Sequence, residues 1–336
     1  MIRLLCLCPC LFLFVLRAAA VPLLWPIDGP SILEGDQLED WAQPTVSGDP
    51  ESALFGCVRT NGHRFHEALD IAATHWDNRR EATDVVHAIM PGRVVYMNPI
   101  AGDSSFGRYV VLEHTGLKPS VYSLYAHLRS IDDDLKVGQD VKEGTKLGIL
   151  GRSASYSIPR QRAHVHLEIG LRLSDDFQSW YDRQPFGSKN QHGIWNGMNL
   201  VGFDPREFYT FFSNGEADDL QLFWASMPPA AVLQIRTRVI PDLVKRYPTL
   251  LDGPLPQSVE GWEVSLTGYG LPLTLRPLSQ DEAQGLGDYG AVKIVAVDPE
   301  QLEKFACRDV VKWDGETARL DSEGKDLLSR IFDIRE

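Results

Sequence analysis

Between Gly92 and Leu173 the apolar residues come in short β-branched runs: Gly92 to Met97, Arg108 to His114, Val121 to His127, Lys146 to Leu150 and His164 to Leu173. Gly, Pro and Asp separate them, and none keeps the i, i+3, i+4 recurrence of an amphipathic helix. Runs of this kind bury their side chains only as strands, so the centre of the chain is predicted to be a β-rich domain. With 336 residues, 43% hydrophobic and 24% charged, the sequence is neither disordered nor fibrous and is long enough for two units.

The flanks read differently. From Pro22 to about Ser52, Pro, Gly and acidic residues predict an irregular lead-in. Two polar stretches, Thr74 to Asp84 and Ser174 to Asn199, are predicted as long surface loops that flank function. The β domain is expected to close around Phe203-Asp204-Pro205. Beyond it, Ala217 to Tyr247 carries helix-like apolar spacing, Trp262 to Leu266 and Ala291 to Val297 read as strands, and Pro299 to Phe305 and Leu327 to Ile331 as short helices. The expected division is a signal at 1–20, the lead-in at 21–53, the β domain at 54–212 and an α+β region at 213–336 that carries no chemical motif.

Arg3, the apolar run Leu4 to Leu16 and the small residues Ala18-Ala19-Ala20 form the pattern of a cleaved secretory signal. The run is shorter than the roughly 20 residues needed to span a bilayer, and the mature chain is expected to have no integral membrane span. Export to the periplasm, the cell envelope or the medium follows. Cys6, Cys8 and Cys10 leave with the signal; Pro9 argues against lipidation at Cys10. Cys57 and Cys307 remain, either as a disulfide that an oxidising compartment permits or as two buried thiols. The net charge is -13, without a dense Lys/Arg run, so nucleic acid is not expected as a partner. Oligomeric state is not legible.

Three clusters carry chemistry: His66-Glu67-Ala68-Leu69-Asp70, Tyr125-Ala126-His127-Leu128, and His164-Val165-His166-Leu167-Glu168. On a strand, alternate side chains share a face, so His164 and His166 address one centre and Glu168 lies where it can hydrogen-bond a histidine. A catalytic zinc takes three protein ligands from His and Asp/Glu and keeps a fourth position for water. The first cluster offers a nitrogen and an oxygen, and the third offers a second nitrogen. Either pattern by itself is common.

In order and context, the stretch from about His63 to Pro205 resembles the lysostaphin-like zinc endopeptidases, including the LytM-type cell-wall hydrolases. The resemblance runs through Arg64 to Ala72, Ala88 to Val95, Gly107 to His114, Leu124 to Leu128, Val137 to Gly144 and His164 to Ile169. It implies an antiparallel, mainly β peptidase fold, one Zn2+ held by His66, Asp70 and His166, and catalytic histidines at His127 and His164. It also implies hydrolysis of peptide stems or cross-links in peptidoglycan. Two departures stand out: Ala68 replaces the usual Gly, and the turn Gly151 to Ala163 before the H-x-H is longer and positively charged.

His63, His75, His87, His114 and His192 match no ligand position and read as surface or satisfied core residues, with His75 and His192 in loops that can reach substrate. Tyr125 reads as core. Val137 to Gly148 also resembles a lipoyl or biotinyl carrier turn, but no attachment lysine stands at its tip. The competing functional readings are a non-catalytic zinc-binding regulator of other wall hydrolases, which keeping all five residues argues against, and a secreted peptidase of protein substrates.

Overall fold

The structure, a computed structural model, describes residues 22–213, 220–308 and 310–334; the predicted signal lies outside them. No described helix is long and apolar enough to cross a membrane.

The central antiparallel sheet follows the spatial order Leu200–Phe203, His164–Arg172, Val121–Ala126, Tyr109–His114, Gly92–Asn98 and Asp140–Val141, with Leu69–Ala72 pairing beside Leu200–Phe203 on the same edge of His164–Arg172. All five predicted runs are strands, each within two residues of its expected bounds. Period-2 alternation divides their side chains. Val110, Leu112, Val165, Leu167 and Ile169 enter the main core with Val86 and Leu147 of a three-stranded sheet, Val85–His87, Lys146–Ile149 and Ser130–Ile131. Tyr109, Val111, Tyr122, Leu124 and Ala126 face the other way, where Trp195 and Phe106 cover them. His164–Arg172 is buried along its whole length, so its odd residues pack in the core while His164, His166 and Glu168 share the opposite face.

Residues 74–84 form no helix or strand, as expected, but the other loop and the lead-in need correction. Residues 174–199 fold onto the domain through a helix, Phe177–Arg183, that buries Phe177, Trp180 and Tyr181 at i, i+3, i+4 spacing. Residues 22–53 contain only short helical turns, yet they contribute Trp25, Ile27, Trp41 and Ala42 to the core.

The C-terminal region is α+β. Its antiparallel sheet has the order Pro272–Pro277, Trp262–Leu266, Ala231–Ile235, Val292–Val297, and the helix Ser322–Phe332 packs on it, with Phe332 6.5 Å from the Trp262 ring. The helix-like spacing from Ala217 to Tyr247 holds at Leu220–Ser226 and Asp242–Arg246 and fails between them. Pro228 and Pro229 stop the helix Leu220–Ser226, and Ala231, Leu233 and Ile235 then alternate inward as a central strand. Phe55 meets Tyr269 edge-on and Phe65 meets Tyr269 and Phe305 stacked or tilted, at 5.1–6.3 Å, joining the two regions into one core. A disulfide between Cys57 and Cys307 crosses the same seam, which decides between the two readings of these cysteines.

Candidate metal centre and groove

Strand register builds the site. His166 lies directly opposite Asp70 on one neighbouring strand and opposite Ala126 on the other. The first pairing puts a carboxylate beside an imidazole, and the second brings His127 alongside, immediately after its strand ends. His66 reaches the same point from the short strand Arg64–His66, four residues before Asp70. Asp70 Oδ1 is 3.0 Å from His166 Nδ1 and 3.2 Å from His66 Nε2, and the two nitrogens are 3.3 Å apart. All three side chains are buried.

Each ring is oriented from behind. His66 Nδ1 donates to the Leu54 carbonyl at 2.8 Å, and His166 Nε2 donates to Glu168 Oε1 at 3.0 Å. Glu168 in turn accepts from the Tyr122 hydroxyl at 2.9 Å. Backing of this kind fixes which ring nitrogen faces a metal and raises its basicity. One oxygen and two nitrogens within 4.8 Å of one another match the ligand number and chemistry of a zinc site. Although burial opposes ionisation of Asp70, the imidazoles of His66, His164 and His166 hold its carboxyl well below the usual carboxylate range. Burial also opposes charge on His166, but its bonds to Asp70 and Glu168 push it up to about 9.

The other two predicted histidines stand together, with ring centres 4.6 Å apart. His127 Nδ1 donates to the Ser153 carbonyl at 2.9 Å and His164 Nδ1 to the Arg162 carbonyl at 2.7 Å, which turns each Nε2 toward the cluster. His164 Nε2 lies 3.5 Å from Asp70 Oδ2. Burial pushes both pKa values down, so the rings are neutral at neutral pH. His127 has φ +61°, a left-handed conformation uncommon for a non-glycine residue, and is pinned by its N–H to the Phe106 carbonyl at 2.9 Å. All five predicted site residues thus converge at one place.

Sequence reading did not find Arg59. Its Nη2 donates to His66 Nε2 at 2.8 Å and also to Asp70 Oδ2, bringing a cation against two of the three clustered residues. No motif marks it. Of the remaining histidines, His114 is a satisfied core residue and His192, held by the Tyr96 hydroxyl at 3.0 Å, lines the groove, both as expected, whereas His75 is engaged by Asp84 and does not line it. That groove, about 1160 Å³, runs from the cluster past Tyr156 and Trp180 to Arg308 and Arg330 of the C-terminal region.

Residues 64–176 match the model of peptidase family M23. Among solved structures, the catalytic domain of the prophage-encoded M23 protein EnpA from Enterococcus faecalis is 26% identical, with coverage of 31% of this chain and 67% of its own and a TM-score of 0.24. A zinc containing peptidase from Vibrio cholerae is 27% identical over 31% of this chain, which spans only 26% of that protein's length, with a TM-score of 0.23. The catalytic domain of the antimicrobial peptidase lysostaphin from Staphylococcus simulans is 19% identical, covering 45% of this chain and 82% of its own, with a TM-score of 0.27. No curated protein matches. The matched segment begins two residues before His66 and ends beyond Glu168, so the part of the chain that is similar to peptidase family M23 encloses the whole cluster.

Proposed function

We propose that this peptidase is an exported zinc metalloendopeptidase that hydrolyses peptide bonds in the stems or cross-links of bacterial peptidoglycan. The observation that carries the reading is the convergence of His66, Asp70 and His166 inside the M23-matched segment. These three residues would hold one Zn2+. A zinc ion bound there supplies Lewis-acid polarisation of a peptide carbonyl and acidifies water.

The chain's own residues supply the rest. His127 and His164 are neutral, backed by carbonyls at Nδ1 and open at Nε2, which suits them to take a proton from attacking water and return it to the leaving amine. A charged imidazole formed in that exchange would be stabilised by Asp70, already 3.5 Å from His164 Nε2. Phe106, whose ring lies 5.6 Å from that of His166, and Tyr156 line the groove beside His127 and His164. Export is supported by the predicted signal and by the disulfide, a bond favoured in oxidising compartments. The peptidoglycan substrate is drawn from the family resemblance.

The test is metal content by mass spectrometry on wild type and Asp70→Ala, run beside digestion of purified peptidoglycan. One zinc per chain, lost together with digestion in the variant, is the expected result. Zinc retained by the variant, or full digestion by a metal-free chain, would overturn the reading.

A further inference from the structure

The positively charged turn before the H-x-H holds three arginines, and the structure uses two of them internally. Arg152 donates twice to Glu81 at 3.0 Å, and Arg160 Nε donates to the same carboxylate at 2.7 Å. These bonds, Arg152's first, hold Glu81 down at about 2. Arg162 is left over. Among the described residues no carboxylate stands within ion-pair distance of it, and its Nε is buried without a hydrogen-bond partner. A buried donor left without a partner is destabilising, and a ligand that accepts from it removes that penalty.

Arg162 is not alone. Arg64 has no ion-pair partner among the described residues either, and it sits directly across its hairpin from Arg59. Like charges placed opposite one another weaken a strand pair, and Asp70 answers the charge of Arg59 but not that of Arg64. All three arginines line the groove together with His66, Asp70, His164 and His166. They share a neighbour in Tyr156: burial and the charge of Asp70 push its hydroxyl up, while Arg59, Arg64 and Arg162 all pull it down. The chain as a whole carries -13, so this cationic wall is a local departure from its composition. Two groove carboxylates at the far end, Glu67 and Glu323, already face Arg308 at 3.9 and 3.0 Å.

We propose that Arg59, Arg64 and Arg162 form an anion-recognition wall, so that the chain selects peptides bearing a carboxylate beside the scissile bond. The proposal rests on the peptidase reading of the neighbouring cluster. A guanidinium fork matches a carboxylate through two parallel hydrogen bonds, and in a partly dry groove that match counts for more than it does in water. The carboxylate is either the C-terminal α-carboxylate of a short peptide or an acidic side chain one residue from the cut.

The experiment compares two matched peptide pairs of equal length, one differing in Glu or Gln beside the cut bond and the other in a C-terminal carboxylate or carboxamide. Rates and calorimetric binding are measured on the metal-loaded full chain, as wild type, Arg162→Gln, Arg64→Gln and the charge-preserving Arg162→Lys, with melting curves to confirm folding. Wild type should favour the carboxylate member of one pair by about tenfold or more, mainly through KM, as expected for one charge-assisted contact. Both Gln variants should lose most of that preference and Arg162→Lys should keep part of it. The pair that shows the effect identifies the source of the carboxylate. Cleavage of both members of both pairs at equal rates would overturn the wall and leave the peptidase intact. If no peptide is cut, binding decides: a carboxylate preference lost in the Gln variants supports the wall while the peptidase reading fails, and equal or absent binding overturns the wall.

Discussion

Glu168 holds His166 from behind: Oε1 accepts from Nε2 at 3.0 Å, two residues along the same strand and on the same face. Glu168→Ala removes this partner and leaves Tyr122 without its acceptor. Zinc affinity should fall by roughly 10- to 100-fold, the usual effect of losing such a partner. Competition with a chromophoric chelator measures it, and Glu168→Gln should retain more affinity than Ala.

Arg59 acts in the opposite sense. Its guanidinium contacts both His66 and Asp70, and a divalent cation at the same residues meets a like charge. Arg59→Met should therefore tighten zinc binding in the chelator assay. The metal-free protein should lose stability, because the buried Asp70 gives up its guanidinium partner and keeps only the imidazoles. Opposite movements of affinity and metal-free melting temperature are the signature.

Gly107 has φ +62°, and a Cβ there would meet the Ser153 carbonyl oxygen at 2.1 Å. That carbonyl is the acceptor for His127 Nδ1. Gly107→Ala should thus displace His127 while sparing His66, Asp70 and His166. Peptide hydrolysis should drop by about 10²-fold or more, in line with the loss of a general acid–base group, with zinc content unchanged.

His114 gives the protein an acid limit. It is buried, with Nδ1 donating to the Pro91 carbonyl and Nε2 beside Ser123 Oγ, and burial pushes its pKa down to about 4. Below the unfolded value of about 6.5 the unfolded chain takes up a proton that the folded chain refuses, so stability falls as pH drops from 6.5 towards 4. The contribution is on the order of 3 kcal/mol. Urea titrations at pH 7 and pH 4.5 should show a smaller acid loss in His114→Gln than in wild type.

Much of the site is written in local pattern. His164, His166 and Glu168 alternate on one strand, and period 2 alone puts them on one face; the structure adds the Glu168 bond that this spacing allowed. Asp70 could be read as an oxygen donor from its spacing to His66, but joining it to His166 rested on resemblance, because the two face each other in a register across 96 residues of sequence. The strands that deliver His66 and Asp70, Arg64–His66 and Leu69–Ala72, are three and four residues long, too short to show a period. Arg59 left no trace, since a charged residue at a groove looks like any solvated one until its neighbours are known, and Arg162 showed only as one charge of the basic turn before the H-x-H. The helix-like spacing around Ala231–Ile235 misled because an alternating strand beside a short helix supplies apolar residues at helical intervals by coincidence.

The bond between Cys57 and Cys307 spans 250 residues and so makes most of the molecule a covalent ring. A single backbone cut anywhere inside that ring opens it without producing two pieces. The strand bearing Arg59, two residues from Cys57, stays attached to the C-terminal region even when the polypeptide between them is severed. A nicked sample should therefore migrate as one band without reductant and as two with it, and processing inside the ring cannot shed the C-terminal region until the disulfide is reduced.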